Sequence, residues 1–363
     1  MKIKEIQIGK ISIPLKKPFK TALRTVTSAE DIVIKMIADS GEIGYGNAPP
    51  TLVITGDGQD SIVAAIKEAI APKLIGLPVD ALEEIKNIIS NATIHNSSAK
   101  AAIDIAAHDL FAQKYKIPMY KLFGGYTNYM TTDLTISLNE PEQMVRDSLE
   151  AISEGYKALK LKVGNDVQLD LKRVQAIRKA VGDEILIRLD ANQGWTPKEA
   201  IRIIRNFEDQ GLGIELIEQP VKAYDFEGLK KVTDNVDTDI MADESAFGCY
   251  EVFKLLSMRA CDLINIKLMK AGGLHNASKI AAFAETMGVQ CMMGCMLESK
   301  IGITAAASIA AGKSIITKTD LDAAVLLASD PIVGGVSFEQ DKLILPETPG
   351  LGITDIQGWI KIC

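Results

Sequence analysis

Five short apolar runs in the middle of the chain each end in an ionisable residue. They close on Lys160-Leu161-Lys162, Asp190, Glu218, Asp243 and Lys267. The gaps are 28 residues from Lys162 to Asp190, 28 to Glu218, 25 to Asp243 and 24 to Lys267. A charge at the end of an apolar run is costly unless it is paired or liganded, so five at near-constant spacing point to a shared use. Asp190, Glu218 and Asp243 are hard oxygen donors, the set that suits Mg2+. Taken singly, each reads as the N-cap of a following helix. The three in register favour a metal. Lys160 and Lys162 stand two apart, so on a strand both face the same side, here inward. A like charge and a nearby cation disfavour the ammonium form and lower a lysine below its usual ~10.4. That is what a lysine base near neutral pH needs. Lys267 approaches from four strands away. Two lysines facing each other across a metal can take a proton from one face of a carbon and return it to the other. Simple counter-ions to the three carboxylates would explain the same charges without chemistry.

Such residues need a repeated scaffold to bring them to one height. Eight apolar runs supply it: residues 134–138, 158–163, 185–190, 214–220, 239–244, 263–268, 289–295 and 314–319. Helical patterns lie between them. Thr196-Pro197-Lys198-Glu199 is a capping box with proline at the first helical position. Val167, Leu171, Val174, Ile177 and Val181 recur at helical spacing. Eight strand–helix units predict an α/β fold, a (β/α)8 TIM barrel over residues 126–334. A doubly wound open sheet is the alternative, and the even spacing favours closure. Before the barrel, residues 1 to about 50 read as strands and 59–123 as helices, the texture of an α+β domain over 1–125. The alanines of AAIDIAAHDLFAQKYKI give its helix a small, closely packing face. After the eighth unit, residues from about 335 to 363 read as strand and turns and are expected to return to the N-terminal domain.

Composition excludes other classes. The chain has 363 residues, 40 Lys+Arg against 47 Asp+Glu, and a net charge of −7 without a basic stripe, so no nucleic-acid partner is expected. No apolar run reaches the ~18 residues a membrane helix needs. The start, MKIKEIQIGKISIPL, alternates apolar and polar residues and lacks the core of a signal peptide. Five cysteines without a spaced zinc pattern read as reduced thiols, and a cytoplasmic protein is expected. His95 and His108 read as structural and His275 as a helix start.

The ordered motifs LKLKVG (159–164), LDANQGW (189–195), IEQP (217–220), ADES (242–245) and INIKLMKAGG (264–273) carry a resemblance. With them the chain resembles the enolase superfamily, in its muconate-lactonizing-enzyme subgroup, over essentially its whole length. The resemblance implies a modified barrel under an N-terminal capping domain. It also implies one Mg2+ per subunit on Asp190, Glu218 and Asp243, holding a substrate carboxylate. Lys162 and Lys267 would be the acid/base pair, with Lys160 beside Lys162. The mandelate-racemase branch has a histidine after the seventh strand. Here that stretch is MMGCMLES, which excludes the branch. Two further features look like dipeptide epimerases: PTLVITGDG (50–58), a loop expected to close over substrate, and Asp320-Leu321-Asp322 after the eighth strand. Two acids there suit a free amino terminus; otherwise they are helix-terminal residues. Arg24 would grip a C-terminal glutamate side chain, or be an ordinary loop arginine. Glu298 is placed with Lys160 among the substrate contacts. The implied reaction is a 1,1-proton transfer at the α-carbon of a dipeptide's C-terminal residue, with Ala-Glu, a peptidoglycan fragment, as substrate and a homo-oligomer as the assembly. Alternatives are cycloisomerisation or o-succinylbenzoate synthesis on the same scaffold. From a different class comes a Schiff-base lysine aldolase or pyridoxal-phosphate barrel.

Overall fold

The computed structural model describes residues 1–363. Strands β1 (Ile3–Lys20), β2 (Thr25–Ala38) and β3 (Ile43–Ala48) form an antiparallel meander. One face of this sheet packs on the helix Ser97–Lys114. The approach is close. A Cβ at Gly46 would stand 1.9 Å from the carbonyl of Ala102, and one at Gly44 2.2 Å from that of Ala106. The alanine-rich helix face predicted from sequence therefore meets glycines, and both are needed for the backbones to come so near. Asp109, buried in the same helix, accepts from the backbone N–H of Tyr45 at 2.9 Å and of Leu351 at 2.8 Å. It ties the helix to β3 and to the C-terminal segment at once.

A short strand β4 (Tyr129–Thr131) leads into the barrel. Its eight parallel strands are β5 (Leu134–Ile136), β6 (Ala158–Lys162), β7 (Leu186–Asp190), β8 (Ile214–Glu218), β9 (Asp239–Ala242), β10 (Leu263–Lys267), β11 (Gln290–Gly294) and β12 (Ile316–Asp320). They neighbour one another in sequence order. The first edge meets the last through the Thr132–Thr319 bridge and the N–H of Asp133 on the Thr319 carbonyl. Closure is thus nearly complete. Each expected run meets one strand, one or two residues shorter than the apolar run, with β12 reaching one residue past its run to Asp320. The capping box at Thr196 opens the helix Pro197–Asp209, and the spaced valines lie in the helix Val167–Val181. Inside the barrel, Leu216, Met241, Leu263 and Met292 form an apolar floor. Above it the interior turns ionic.

The C-terminal segment divides. Strands β13 (Ile332–Gly334), β14 (Ser337–Glu339), β15 (Lys342–Ile344), β16 (Ile353–Ile356) and β17 (Ile360–Lys361) follow the barrel. β15 pairs with β14 and with β4, β13 pairs with β16, and β17 alone joins β1, with Gly9 opposite Lys361. No helix is long and apolar enough to cross a membrane.

Candidate active site at the barrel mouth

Strand register places the charges. Lys162 pairs with Asp190 and Asp190 with Glu218 across β6, β7 and β8. On the far side Lys267 pairs with Gly294 and Gly294 with Asp320 across β10, β11 and β12. Two rows at one height therefore face each other. Gly294 is what lets the second row fit, because a Cβ there would stand 2.9 Å from Lys267 Cε. Asp243 differs from expectation in height. Glu218 lies opposite Met241, so Asp243 stands two residues beyond the ladder. It is held there by Gln219, whose side-chain carbonyl accepts from the N–H of Asp243 at 2.9 Å and of Ser245 at 3.0 Å. Asn192, Gln193 and Gln219, just past the strand ends, all have positive φ, at 41°, 67° and 38°. Strained turns of this kind persist where surrounding structure over-determines them.

All the charged groups are buried, none more than 6% exposed. Lys160 Nζ lies 2.6 Å from Glu218 Oε2, 2.7 Å from Asp320 Oδ2 and 3.1 Å from Asp190 Oδ2. Lys162 Nζ lies 2.6 Å from Asp190 Oδ2, and Lys267 Nζ 2.8 Å from Asp243 Oδ2. Burial favours neutral lysines and carboxyls, but the opposite charges outweigh it at most positions. Lys160 and Lys267 are held well above the ordinary lysine value despite burial, by Asp320, Glu218 and Asp190 in the first case and by Asp243 and Glu218 in the second. Acids surround each amine, whereas the depression expected from the sequence belongs to a site that holds a cation. Asp190 and Asp243 lie below the usual carboxylate range although burial pushes the other way, because lysines face them. Glu218 is the exception. Burial and the nearby Asp190 push it up to about 8.

No three carboxylates converge closely enough to hold an ion as they stand, because ammonium groups lie between them. The donor set nevertheless suits a small hard cation. Asp190 Oδ2, Glu218 Oε2 and Asp243 Oδ2 each have lysines as their only partners. Replacing the ammonium charge at these three oxygens by a divalent cation would leave no carboxylate unpaired. Beside them Asn192 Oδ1, Glu244 Oε2 and Asn265 Oδ1 are buried with no hydrogen-bond partner.

A cavity of about 60 Å3 opens above the rows. Lys160, Lys162, Lys267, Asp320 and Asp322 line it, with Arg24, Phe19 and the loop residues Val53 and Ile54 over it. Asp322 starts the turn Ala323–Leu326, but its side chain does not cap that turn. It accepts instead from the backbone N–H of Thr135 at 2.7 Å, and burial with Asp320 nearby raises it to about 6. Arg24 has no carboxylate within ion-pair distance and is partly desolvated, which lowers its pKa. The ring of Phe19, unnoticed in the sequence, has its centre 5.9 Å from Lys162 Nζ. A larger cleft of about 440 Å3 lies on the other side of Phe19, Thr135 and Leu326. Its Lys17 already pairs with both Asp147 and Glu150.

Glu298 is not among the cavity-lining residues. It is 3% exposed and lies in the seam between cap and barrel. Its Oε1 accepts from the N–H of Met296 at 3.0 Å and its Oε2 from Asn47 Nδ2 at 3.0 Å. The glutamate follows directly on Met296 and Leu297, which do line the cavity. Sequence position alone could not separate the two. His275 opens the helix Leu274–Met287, as expected.

Paired lysines and carboxylates on facing strand ends of a capped barrel define a class of proton-transfer scaffold. The chain matches the mandelate racemase / muconate lactonizing enzyme N-terminal domain over residues 3–124 and the enolase C-terminal domain-like family over 143–355. It belongs to this family. It is 53% identical to the L-Ala-D/L-Glu epimerase of Clostridium acetobutylicum, over 98% of this chain and 99% of the relative. The substrate-liganded L-Ala-D/L-Glu epimerase of Bacillus subtilis superposes with a TM-score of 0.97 at 50% identity, covering 98% of this chain and 99% of that one. The dipeptide epimerase of Enterococcus faecalis V583, complexed with Mg and L-Leu-L-Tyr, gives 0.95 at 45% identity, covering 98% and 100%.

Proposed function

We propose that the protein is a Mg2+-dependent dipeptide epimerase, an isomerase that inverts the α-carbon of a dipeptide's C-terminal residue. The supporting observation is the placement of Lys162 and Lys267 on β6 and β10, on opposite sides of one cavity with carboxylates between them. Asp190, Glu218 and Asp243 would hold the ion. The chemistry a bound Mg2+ supplies is neutralisation of the charge that gathers on the substrate carboxylate as the α-proton leaves. One lysine Nζ takes that proton and the other, from the opposite face, gives one back. Lys160 stays charged between Glu218, Asp190 and Asp320 and offsets their repulsion. Asp320 and Asp322 receive the substrate's ammonium group, and the unpaired Arg24 receives the side-chain carboxylate of a C-terminal glutamate. L-Ala-D/L-Glu is therefore the preferred substrate. As a peptidoglycan fragment it places the reaction in cell-wall peptide recycling in the cytoplasm. Substrates of cycloisomerases and o-succinylbenzoate synthases carry no ammonium to meet the two aspartates. Incubation of L-Ala-L-Glu with enzyme and Mg2+ in D2O tests the reading. The expected result is deuterium at the glutamate α-carbon together with the epimer; no exchange with this or other dipeptides would refute it.

A further inference from the structure

Each of the three prospective ligands has one oxygen committed to the protein and one facing a lysine of the cavity. Asp190 Oδ1 accepts from the N–H of Asn192 at 2.9 Å. Glu218 Oε1 accepts from Asn265 Nδ2 at 2.8 Å, with Lys267 Nζ farther off at 3.8 Å. Asp243 Oδ1 lies 2.5 Å from Lys270 Nζ. The other oxygens, Asp190 Oδ2, Glu218 Oε2 and Asp243 Oδ2, are the three that only Lys160, Lys162 and Lys267 hold. The division repeats on three strands with three different donors.

Lys270 is the unexpected member. A one-turn helix, Leu268–Ala271, follows β10 and folds Lys270 back beneath Lys267. Its side chain has no solvent exposure. The three N–H bonds of its ammonium group have three acceptors: Asp243 Oδ1, the Asp243 carbonyl, and the Asn265 carbonyl at 3.1 Å. It does not line the cavity. Lys270 is thus a fixed part of the scaffold, whereas Lys267 reaches Asp243 from the cavity side.

We propose that Asn265 and Lys270 are positioning residues that restrict Glu218 and Asp243 to one ligand oxygen each, and so make the site select Mg2+ over Ca2+. Mg2+ demands near-ideal octahedral geometry, while Ca2+ takes six to eight oxygens and readily uses both oxygens of a carboxylate. A carboxylate with one oxygen occupied from behind offers the first cation what it needs and denies the second its extra contacts. The inference rests on the cation reading above and adds the origin of its selectivity.

Calorimetric titration of the full-length protein with Mg2+ alone and with Ca2+ alone tests it. Lys270→Met removes the donor at Asp243 and Asn265→Leu the donor at Glu218. In Lys270→Met the ratio of Ca2+ to Mg2+ affinity should rise by about tenfold or more, whatever happens to either affinity by itself. In Asn265→Leu, which keeps the buried charge balance and stands in if the lysine variant does not fold, it should rise by about threefold or more. Ratios within twofold of wild type in the folded variants, with Mg2+ binding abolished by Glu218→Gln, would overturn this inference alone. Undiminished Mg2+ binding by Glu218→Gln would overturn the cation reading and this inference with it.

Discussion

Two pairs of buried carboxyls in this molecule are handled in opposite ways. At the barrel mouth Asp190 and Asp243 face ammonium groups and lie below the usual carboxylate range, against the pull of burial. In the seam between cap and barrel, Asp31 on β2 and Glu298 after β11 have no cation within ion-pair distance. Asn47 Nδ2 donates to both, at 3.0 Å each, and the N–H of Ser299 donates to Asp31 at 2.8 Å. Burial pushes Asp31 up to about 6 and Glu298 to about 8. Charge is therefore concentrated where the proposed chemistry needs it, and the seam uses the same residue types as near-neutral hydrogen-bonding groups. An unpaired buried charge is expensive, and a group so placed shifts its pKa instead. The mouth should thus be sensitive in activity, and the seam in stability.

The largest effect is expected from removing a mouth carboxylate. Glu218→Gln keeps shape but takes a negative charge from Lys160 and from the proposed cation. Turnover should fall by about a thousandfold or more, while circular dichroism and the melting transition show a folded barrel. Near-wild-type turnover would move the chemistry away from these carboxylates.

Next come the lysines, where the loss should be one-sided. Lys267→Ala leaves Lys162 able to take a proton from its own face and exchange it with solvent. Epimerisation should drop by about 100- to 10,000-fold, the usual worth of a positioned acid or base, while one epimer still takes up deuterium. Lys162→Ala should show the mirror pattern. Equal exchange of both epimers in either variant would exclude a one-lysine-per-face arrangement. Parallel loss of both exchanges with loss of Mg2+ affinity would mark the lysines as counter-ions.

How much of this contrast could be read from the sequence depends on what sets each feature. The eight strands and their ionic ends were legible because apolar runs, helical periodicity and repeat spacing are local properties. Asp190, Glu218 and the lysines of the cavity follow from strand ends in register, whereas Asp243 stands two residues past that ladder. Three things were not legible. Lys270 stands only three residues after Lys267, and nothing in the sequence marks it as turned beneath the site by a single helical turn. Asn192, Asn265 and Gln219 orient the three mouth carboxylates through hydrogen bonds whose partners lie 2 to 47 residues away. Glu298 shares its stretch with cavity residues but points to the cap, which only the docking of two domains decides. The balance of charge around each lysine was not legible either, because it depends on carboxylates that converge in space.

Smaller effects should come from the rim. Arg24→Met is expected to raise KM for L-Ala-L-Glu by about tenfold to a hundredfold, the worth of a charge-assisted pair, and to leave dipeptides ending in a neutral residue nearly unchanged. Asp322→Asn should raise KM for all dipeptides. N-acetylation of the substrate should reproduce that effect in the wild type. Uniform loss in Arg24→Met would assign the arginine to loop structure, and equal turnover of acetylated and free dipeptide would assign Asp322 to holding Thr135.

The smallest effect distinguishes the seam from the mouth most directly, because it appears in stability and in its pH dependence. Folded Glu298 holds its proton up to about 8, against 4.5 for an ordinary glutamate. Between those values the folded protein binds a proton that the unfolded chain has released, so stability falls as pH rises through that window. Asn47 Oδ1 has no partner, so a protonated Glu298 has an acceptor within the cluster and loses it on ionisation. Glu298→Gln keeps acceptors for Met296 and Asn47, offers a donor of its own, and cannot titrate. Its stability relative to wild type, read from melting curves, should therefore climb between pH 5 and pH 8 and then level off, by an amount on the order of 3 kcal/mol. Asp31, raised to about 6, contributes mainly below that value, so the comparison is read between pH 6 and pH 8. KM should barely move, since the Met296–Leu297 segment stays anchored. A difference independent of pH would mean that Glu298 is ionised in the folded protein, and the seam would then be a second charged site like the mouth.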